Sequence, residues 1–260
     1  MDLQLNGRCA LVTGGSRGIG LAAARALAAE GADVALLART REPLELAAND
    51  LRVQSGRRVV YVVADTGEDE SVLAAVRSAV EQLGTVEILV NAAATAATGA
   101  PLREEDLELE INVKVRGYLR CIRAVAPLMV ERGWGRIINV SGLAARQTGS
   151  ITGSIRNVAV AAMTKNLAEE LGPKGINVTV VHPGMTITEG SPERFRAMAA
   201  ALGRDPDAFE AELGARVSIG RVVLAEEVAD VIAFLASPRS IALNGDAIAA
   251  SGGARGAIHY

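Results

Sequence analysis

Aromatic side chains are scarce in these 260 residues: one Trp, three Tyr and three Phe make up 3% of the chain. That shortage removes stacking platforms of the kind that hold sugars or single-stranded bases. Ligand contacts must come from backbone, Arg, Ser/Thr and aliphatic groups. There are two histidines, His182 and His259, and two cysteines, Cys9 and Cys121, with no HExxH and no CxxC pattern. A histidine- or cysteine-based metal centre and a disulfide framework are excluded on that count, and two thiols set in apolar runs point to a reducing, cytoplasmic setting. A basic excess is missing too: 27 Lys+Arg face 30 Asp+Glu for a net charge of −3, which disfavours nucleic acid and anionic membrane surfaces as partners. No apolar run is long enough to span a bilayer, and the opening Met1-Asp2-Leu3-Gln4 lacks the cationic start of a secretory leader. Lysine is the last scarcity, with only Lys114, Lys165 and Lys174.

What is present is apolar residues at 50% and charge at 22%, enough to bury a core. Short β-branched or aliphatic runs at 8–13, 33–38, 58–63, 86–90, 136–140, 176–181 and 246–250 alternate with stretches of helical period at 19–30, 43–54, 70–83, 104–131, 155–171 and 226–236. That alternation predicts βαβ units: an α/β fold with a doubly wound parallel sheet of about seven strands, helices on both faces, in three αβα layers. Gly31 and Gly84 stand where two helices need a left-handed residue to stop. No composition break divides the chain, so residues 1–260 read as a single domain. Residues 185–221, with one short helix at 192–201, read as a loop insertion over a ligand site.

The segment Thr13-Gly14-Gly15-Ser16-Arg17-Gly18-Ile19-Gly20 follows the first predicted strand and opens the first helix. Glycines in that context permit a tight turn and let backbone N–H groups approach a pyrophosphate at a helix N-terminus, so Gly14, Ser16, Arg17, Gly18, Ile19 and Gly20 are candidate dinucleotide contacts. Strand two ends Leu37-Ala38-Arg39, without the carboxylate that would grip a ribose 2′-hydroxyl. Guanidinium groups of Arg39 and Arg17 would instead meet a 2′-phosphate, which favours NADP(H) over NAD(H). Asp65, after strand three, is a candidate acceptor for the adenine amine.

These residues, together with Asn91-Ala92-Ala93-Ala94 after strand four, Pro183-Gly184-Met185-Thr186-Ile187-Thr188 after strand six and Gly252-Gly253 near the end, resemble the short-chain dehydrogenase/reductase family over essentially the whole chain. The resemblance implies a Rossmann-fold subunit, usually a homodimer or homotetramer, that moves a hydride between NAD(P) and a small-molecule alcohol or carbonyl. It adds Asn91, Ala93, Pro183, Gly184 and Thr188 to the cofactor-binding candidates.

The family's catalytic set is an Asn, a Ser, and a Tyr and Lys spaced as YxxxK, and no YxxxK exists here. Counting back from Met163-Thr164-Lys165, the Tyr position falls on Gly153 and the Lys position on Asn157; counting forward from strand five, they fall on Ile155 and Ala159. Gly142 takes the Ser position beside Ser141, and Lys114 takes the Asn position, with Asn112 two residues earlier. A phenol near pKa ~10 is useful only when neighbouring cations favour its ionised form, and removing a positioned acid slows a reaction by about 10²–10⁴. Asn and Lys look exchanged, so Lys114 would supply an ammonium near the nicotinamide ribose, Asn157 would bond its hydroxyls, and Ser141 would meet a substrate oxygen. Thr152, Ser154, Tyr118, His182 and a tail donation by His259 or Tyr260 are weaker replacements. Arg146, beyond strand five, would suit a carboxylate or phosphate. Three readings follow: an NADP(H)-dependent oxidoreductase with a non-standard proton relay, a non-redox lyase, dehydratase or isomerase on the same fold, or a non-catalytic dinucleotide-binding partner subunit.

Overall fold

The computed structural model of the chain describes residues 1–95 and 103–255. Strands β1 (Cys9–Thr13), β2 (Asp33–Ala38), β3 (Val59–Val63), β4 (Ile88–Asn91), β5 (Gly135–Val140), β6 (Ile176–Pro183), β7 (Thr186–Ile187), β8 (Val223–Leu224) and β9 (Ala247–Ala250) are interleaved with α1 (Gly18–Ala29), α2 (Arg41–Ser55), α3 (Asp69–Leu83), α4 (Glu104–Glu110), α5 (Gly117–Arg132), α6 (Ile151–Leu171), α7 (Ser191–Ala201), α8 (Pro206–Ala215) and α9 (Ala225–Ala236). Seven strands form one parallel sheet in the order β3-β2-β1-β4-β5-β6-β9, as the alternating pattern predicts.

Side-chain alternation along each strand divides the core in two. On β1, Ala10 and Val12 pack with Leu21, Leu27, Leu44 and Ile232 from α1, α2 and α9. Cys9 and Leu11 point the other way, among Val76, Val125 and Leu171 from α3, α5 and α6. A strand buried on both faces reads as an unbroken apolar run, which is why Cys9–Thr13 carries no polar alternation. Gly31 and Gly84 adopt φ of +92° and +90° at the expected helix ends.

Three departures from the sequence pattern matter for the site. The stretch 104–131 is not one helix: α4 and α5 are joined by a π-helical turn, Ile111–Arg116, which widens the coil at Lys114. Helix α6 begins at Ile151, four residues earlier than the periodicity predicts, because the Ser150 hydroxyl caps it by accepting from Gly153 N at 3.0 Å. Segment 185–221 holds a second helix, α8, started by Asp205 as N-cap with Pro206 behind it. Its Phe209 and Leu213 pack on Phe195, Ala199 and Val222, so the insertion has a small core of its own. The pairing of β7 with β8 and the bonds Ser218 N to Gly253 O (2.7 Å) and Ile219 N to Gly252 O (3.2 Å) tie both of its ends to the body.

Chain order reverses at β1, which lies between β2 and β4, so the loops leaving β1 and β4 part company and open a crevice at the carboxyl ends of the strands. Among the described residues no helix is long and apolar enough to cross a membrane.

Candidate active site

A cleft of about 910 Å³ lies along that crevice, lined by the loops that leave β1 through β6. Its floor on the β1 side is backbone. A Cβ on Gly14, where φ is +67°, would sit 2.8 Å from Ala92 O, and one on Gly20 would sit 2.3 Å from Gly14 O, so the turn closes only without side chains. Thr13 Oγ1 accepts from Ala92 N at 3.0 Å and Ala93 N at 3.2 Å, which holds the exit of β4 against the turn. Helix α1 starts here with no side-chain cap from Arg17. Its exposed N–H groups and positive end suit an anion. A carboxylate already takes that role: Glu189 Oε2 accepts from Gly18 N at 2.9 Å. The side-chain-free turn and the anion-receptive helix end fit the pyrophosphate of a dinucleotide. Ser16, Arg17, Gly18, Ile19 and Gly20 line this part of the cleft, Arg39 and Thr40 its far end, and Ala93, Pro183, Gly184 and Thr188 the side opposite.

Two cofactor candidates stand elsewhere. Asp65 does not line the cleft, whereas its neighbours Ala64 and Thr66 do. Its Oδ1 accepts from Gly67 N at 2.8 Å, closing the turn before α3. Asn91 lies beneath the wall, fully buried, and donates to Asn139 Oδ1 at 3.0 Å; Asn139 in turn donates to Thr164 at 2.9 Å. It braces β4, β5 and α6, and the backbone after it reaches the cleft.

At the other end Lys114, Ser141 and Asn157 come together in the wall. Lys114, on the π turn, is 4% exposed and donates from Nζ to Ser141 O at 3.0 Å. Ser141 Oγ donates to Asn157 O at 3.1 Å, and Asn157 Oδ1 is buried with no hydrogen-bond partner. Burial first and the Arg156 charge second push the Lys114 ammonium down to about 7, with Glu110 opposing the shift. Half-buried Arg156 and buried Glu110, with Nη1 and Oε2 2.8 Å apart, flank it.

Gly153 faces inward but does not reach the cleft: a Cβ there would meet Ser150 Oγ at 2.7 Å and Ala144 Cβ at 3.4 Å. Ile155 of the alternative count is 44% exposed, so Asn157 rather than Ala159 is the α6 residue that enters the site. Tyr118 is fully buried, its hydroxyl committed to Val140 O at 2.8 Å, and burial pushes the phenol well above its ordinary range. Ser154 donates to Gln147 O at 3.2 Å. Arg146 turns away, donating to Ala247 O at 3.0 Å, and the guanidinium groups that reach this end are Arg156 and Arg194. Nothing in residue type or spacing singled out Arg156; only the early start of α6 and the π turn bring it into the wall. His259 and Tyr260 lie outside the described residues.

The sheet order, the glycine cradle and the cleft define a dinucleotide-binding α/β protein. The short chain dehydrogenase family profile matches residues 8–199. The chain is 36% identical to the short-chain reductase protein NovJ of Streptomyces niveus, over 94% of this chain and 92% of that one. It is also 36% identical to the "Monensin polyketide synthase putative ketoacyl reductase" of Streptomyces virginiae, over 96% of this chain and 98% of that one. The solved structure of L-sorbose reductase from Gluconobacter frateurii, complexed with NADPH and L-sorbose, superposes with a TM-score of 0.93 at 30% identity, covering 99% of this chain and all of that one. This chain therefore belongs to the short chain dehydrogenase family and is an oxidoreductase of that type, with a nicotinamide dinucleotide as its cofactor.

Glu189 holds a negative charge where phosphate would bring two more. Replacing it by Gln is expected to tighten dinucleotide binding about fivefold, the equivalent of ~1 kcal/mol for one like charge removed at an exposed site. Calorimetry with NADP+ and NAD+ checks this, and unchanged or weaker binding contradicts it.

Proposed function

We propose that the chain is an NADP(H)-dependent oxidoreductase that interconverts a carbonyl compound and a secondary alcohol, with Lys114 replacing the family's tyrosine as the acid. The observation that carries this reading is the placement of a buried ammonium, held near neutral proton affinity, in a cleft wall that contains no tyrosine among the described residues. Arg17 and Arg39 line the adenosine end and, among the described residues, no carboxylate does, which favours the 2′-phosphorylated cofactor.

Bound NADPH supplies the hydride for the carbonyl carbon, and the chain must supply one proton to the oxygen. Lys114 carries three N–H bonds, of which one is fixed on Ser141 O. Lys114 lines the cleft, so the remaining protons are available to an oxygen bound there, and a group poised near neutrality gives up its proton with little penalty. After transfer the neutral amine still donates to Ser141 O, so no buried polar group is stranded. The bare Oδ1 of Asn157 suits a hydroxyl donor such as a nicotinamide ribose, and Ser141 fixes the α6 backbone beside it. Residues 185–221 form the outer wall of a single domain spanning 1–260. We place the protein in the cytoplasm because both cysteines are buried free thiols. Ile151, Ile155 and Val158 repeat at i, i+4 and i+7 on α6 and remain exposed, which supports a homodimer built on this face.

Lys114→Met is expected to lower turnover by about 10²–10⁴. Lys114→Arg is expected to fare no better, because a guanidinium keeps its proton. Reduction uses the ammonium form, which burial destabilises, so kcat/KM for carbonyl reduction falls as pH rises through about 7 while alcohol oxidation gains over the same range. Full turnover by the Met variant, or a flat profile through neutrality, contradicts the assignment. For assembly, light scattering is expected to show a dimer or tetramer that Ile155→Glu dissociates; a wild-type monomer overturns that part alone.

A further inference from the structure

The cleft wall carries five cationic side chains, Arg17, Arg39, Lys114, Arg156 and Arg194, and no Asp, Glu or aromatic residue among the described residues. Arg17 and Arg39 belong to the adenosine end. The other three have no counterpart charge on the wall, and the carboxylate behind them, Glu110, is 8% exposed and already set against Arg156. Poor screening in a buried site makes such an excess costly unless an anion joins it.

Hydrogen bonding points the same way. The Nη1 of Arg156 lies 2.8 Å from Glu110 Oε2, yet its N–H is not directed along that line, and Nε has no partner either. Buried donors without acceptors are rare in folded proteins and call for an explanation, and in a cleft wall an incoming acceptor is one. A guanidinium offers five donors in a planar fork that matches carboxylate and phosphate oxygens. Position completes the case: Arg156 precedes Asn157 on α6, and both enter the same wall as Lys114. Ala144 and Ser150 fill the space that a side chain at 153 would need, which leaves Arg156 as the first long side chain of α6 to face the cleft. Arg194, anchored by Thr186 O at 3.3 Å and Ser191 Oγ at 3.2 Å, adds positive potential from α7.

We infer that Arg156 is a specificity-determining residue that grips an oxyanion, a carboxylate or a phosphate, carried by the substrate beside its reacting carbonyl. The inference rests on the reading of this cleft as a carbonyl site, and it selects acidic substrates over the neutral ketones and sugars of equal size.

The test is an equilibrium titration of the NADP+-loaded protein, in which Arg17 and Arg39 are already engaged, with three probes: a 3-oxo acid, its methyl ester and a 2-oxoalkyl phosphate. Wild type is expected to bind the acid or the phosphate at least about tenfold more tightly than the ester, the better of the two naming the source of the oxyanion. Arg156→Gln is expected to erase that preference, Arg156→Lys to keep part of it, and Glu110→Gln to enlarge it, with NADP+ affinity unchanged throughout. Should Arg156→Gln fail to fold with Glu110 left unpaired, the double variant with Glu110→Gln removes both charges and reads the same loss. No preference in wild type, or one that survives Arg156→Gln, overturns the inference. Because binding is read without turnover, the outcome stands apart from the fate of Lys114 as the acid, and loss of NADP+ binding itself counts against the cofactor assignment alone.

Discussion

An ammonium taken out of water is expensive to keep charged, and the site is organised around one such group. Lys114 is buried on a π-helical turn with a single backbone carbonyl, Ser141 O, as its anchor. A neighbouring guanidinium raises the penalty, and a neighbouring carboxylate lowers it. The balance leaves the amine able to gain or lose a proton near neutrality, which is the property a proton donor needs and the property the absent tyrosine would otherwise provide. A phenol in the same setting is pushed the wrong way, as Tyr118 shows four residues along the same strip of chain.

The surrounding architecture keeps this arrangement in place. Asn139, at the centre of the sheet, links Asn91 on β4 to Thr164 on α6, so the strand ends that carry Ser141 and the helix that carries Asn157 move as one body. Ser150 caps that helix and packs where a side chain at 153 would stand, so Gly153, one of the two positions that counting offers for the family's tyrosine, is part of the local packing. Restoring a tyrosine there would require the cap to move. On the opposite side of the cleft, Glu189 reaches from the inserted segment to the start of α1, which couples the outer wall to the phosphate-holding turn.

Much of the fold was legible in the residues themselves. Unbroken apolar strands, helical periods between them and the glycines that end two helices dictate a parallel sheet, and the glycine turn after β1 marks the crevice. The rest depended on features with no short-range signal. The π turn at Ile111–Arg116 preserves the apolar period on either side, so it reads as one helix. Helix α8 was announced by Asp205-Pro206, a cap followed by a first-turn proline, but its apolar residues face a small private core and lack the sheet's rhythm. Asp65 and Asn91 carry the right chemistry in the right loops, yet local turns and interstrand bonds claim them first. Arg146 and Arg156 could not be told apart by sequence, since only the true start of α6 decides which one enters the cleft.

The scarcity of lysine makes the central claim directly measurable. With ¹⁵N confined to the lysine side-chain nitrogens, only Lys114, Lys165 and Lys174 contribute, and Lys165 is exposed and held above its ordinary range by Glu169. The account predicts one resonance that titrates near pH 7 and disappears in Lys114→Met, well separated from the other two. Three resonances that all keep their protons beyond about pH 10, the ordinary range of a solvated amine, would contradict it.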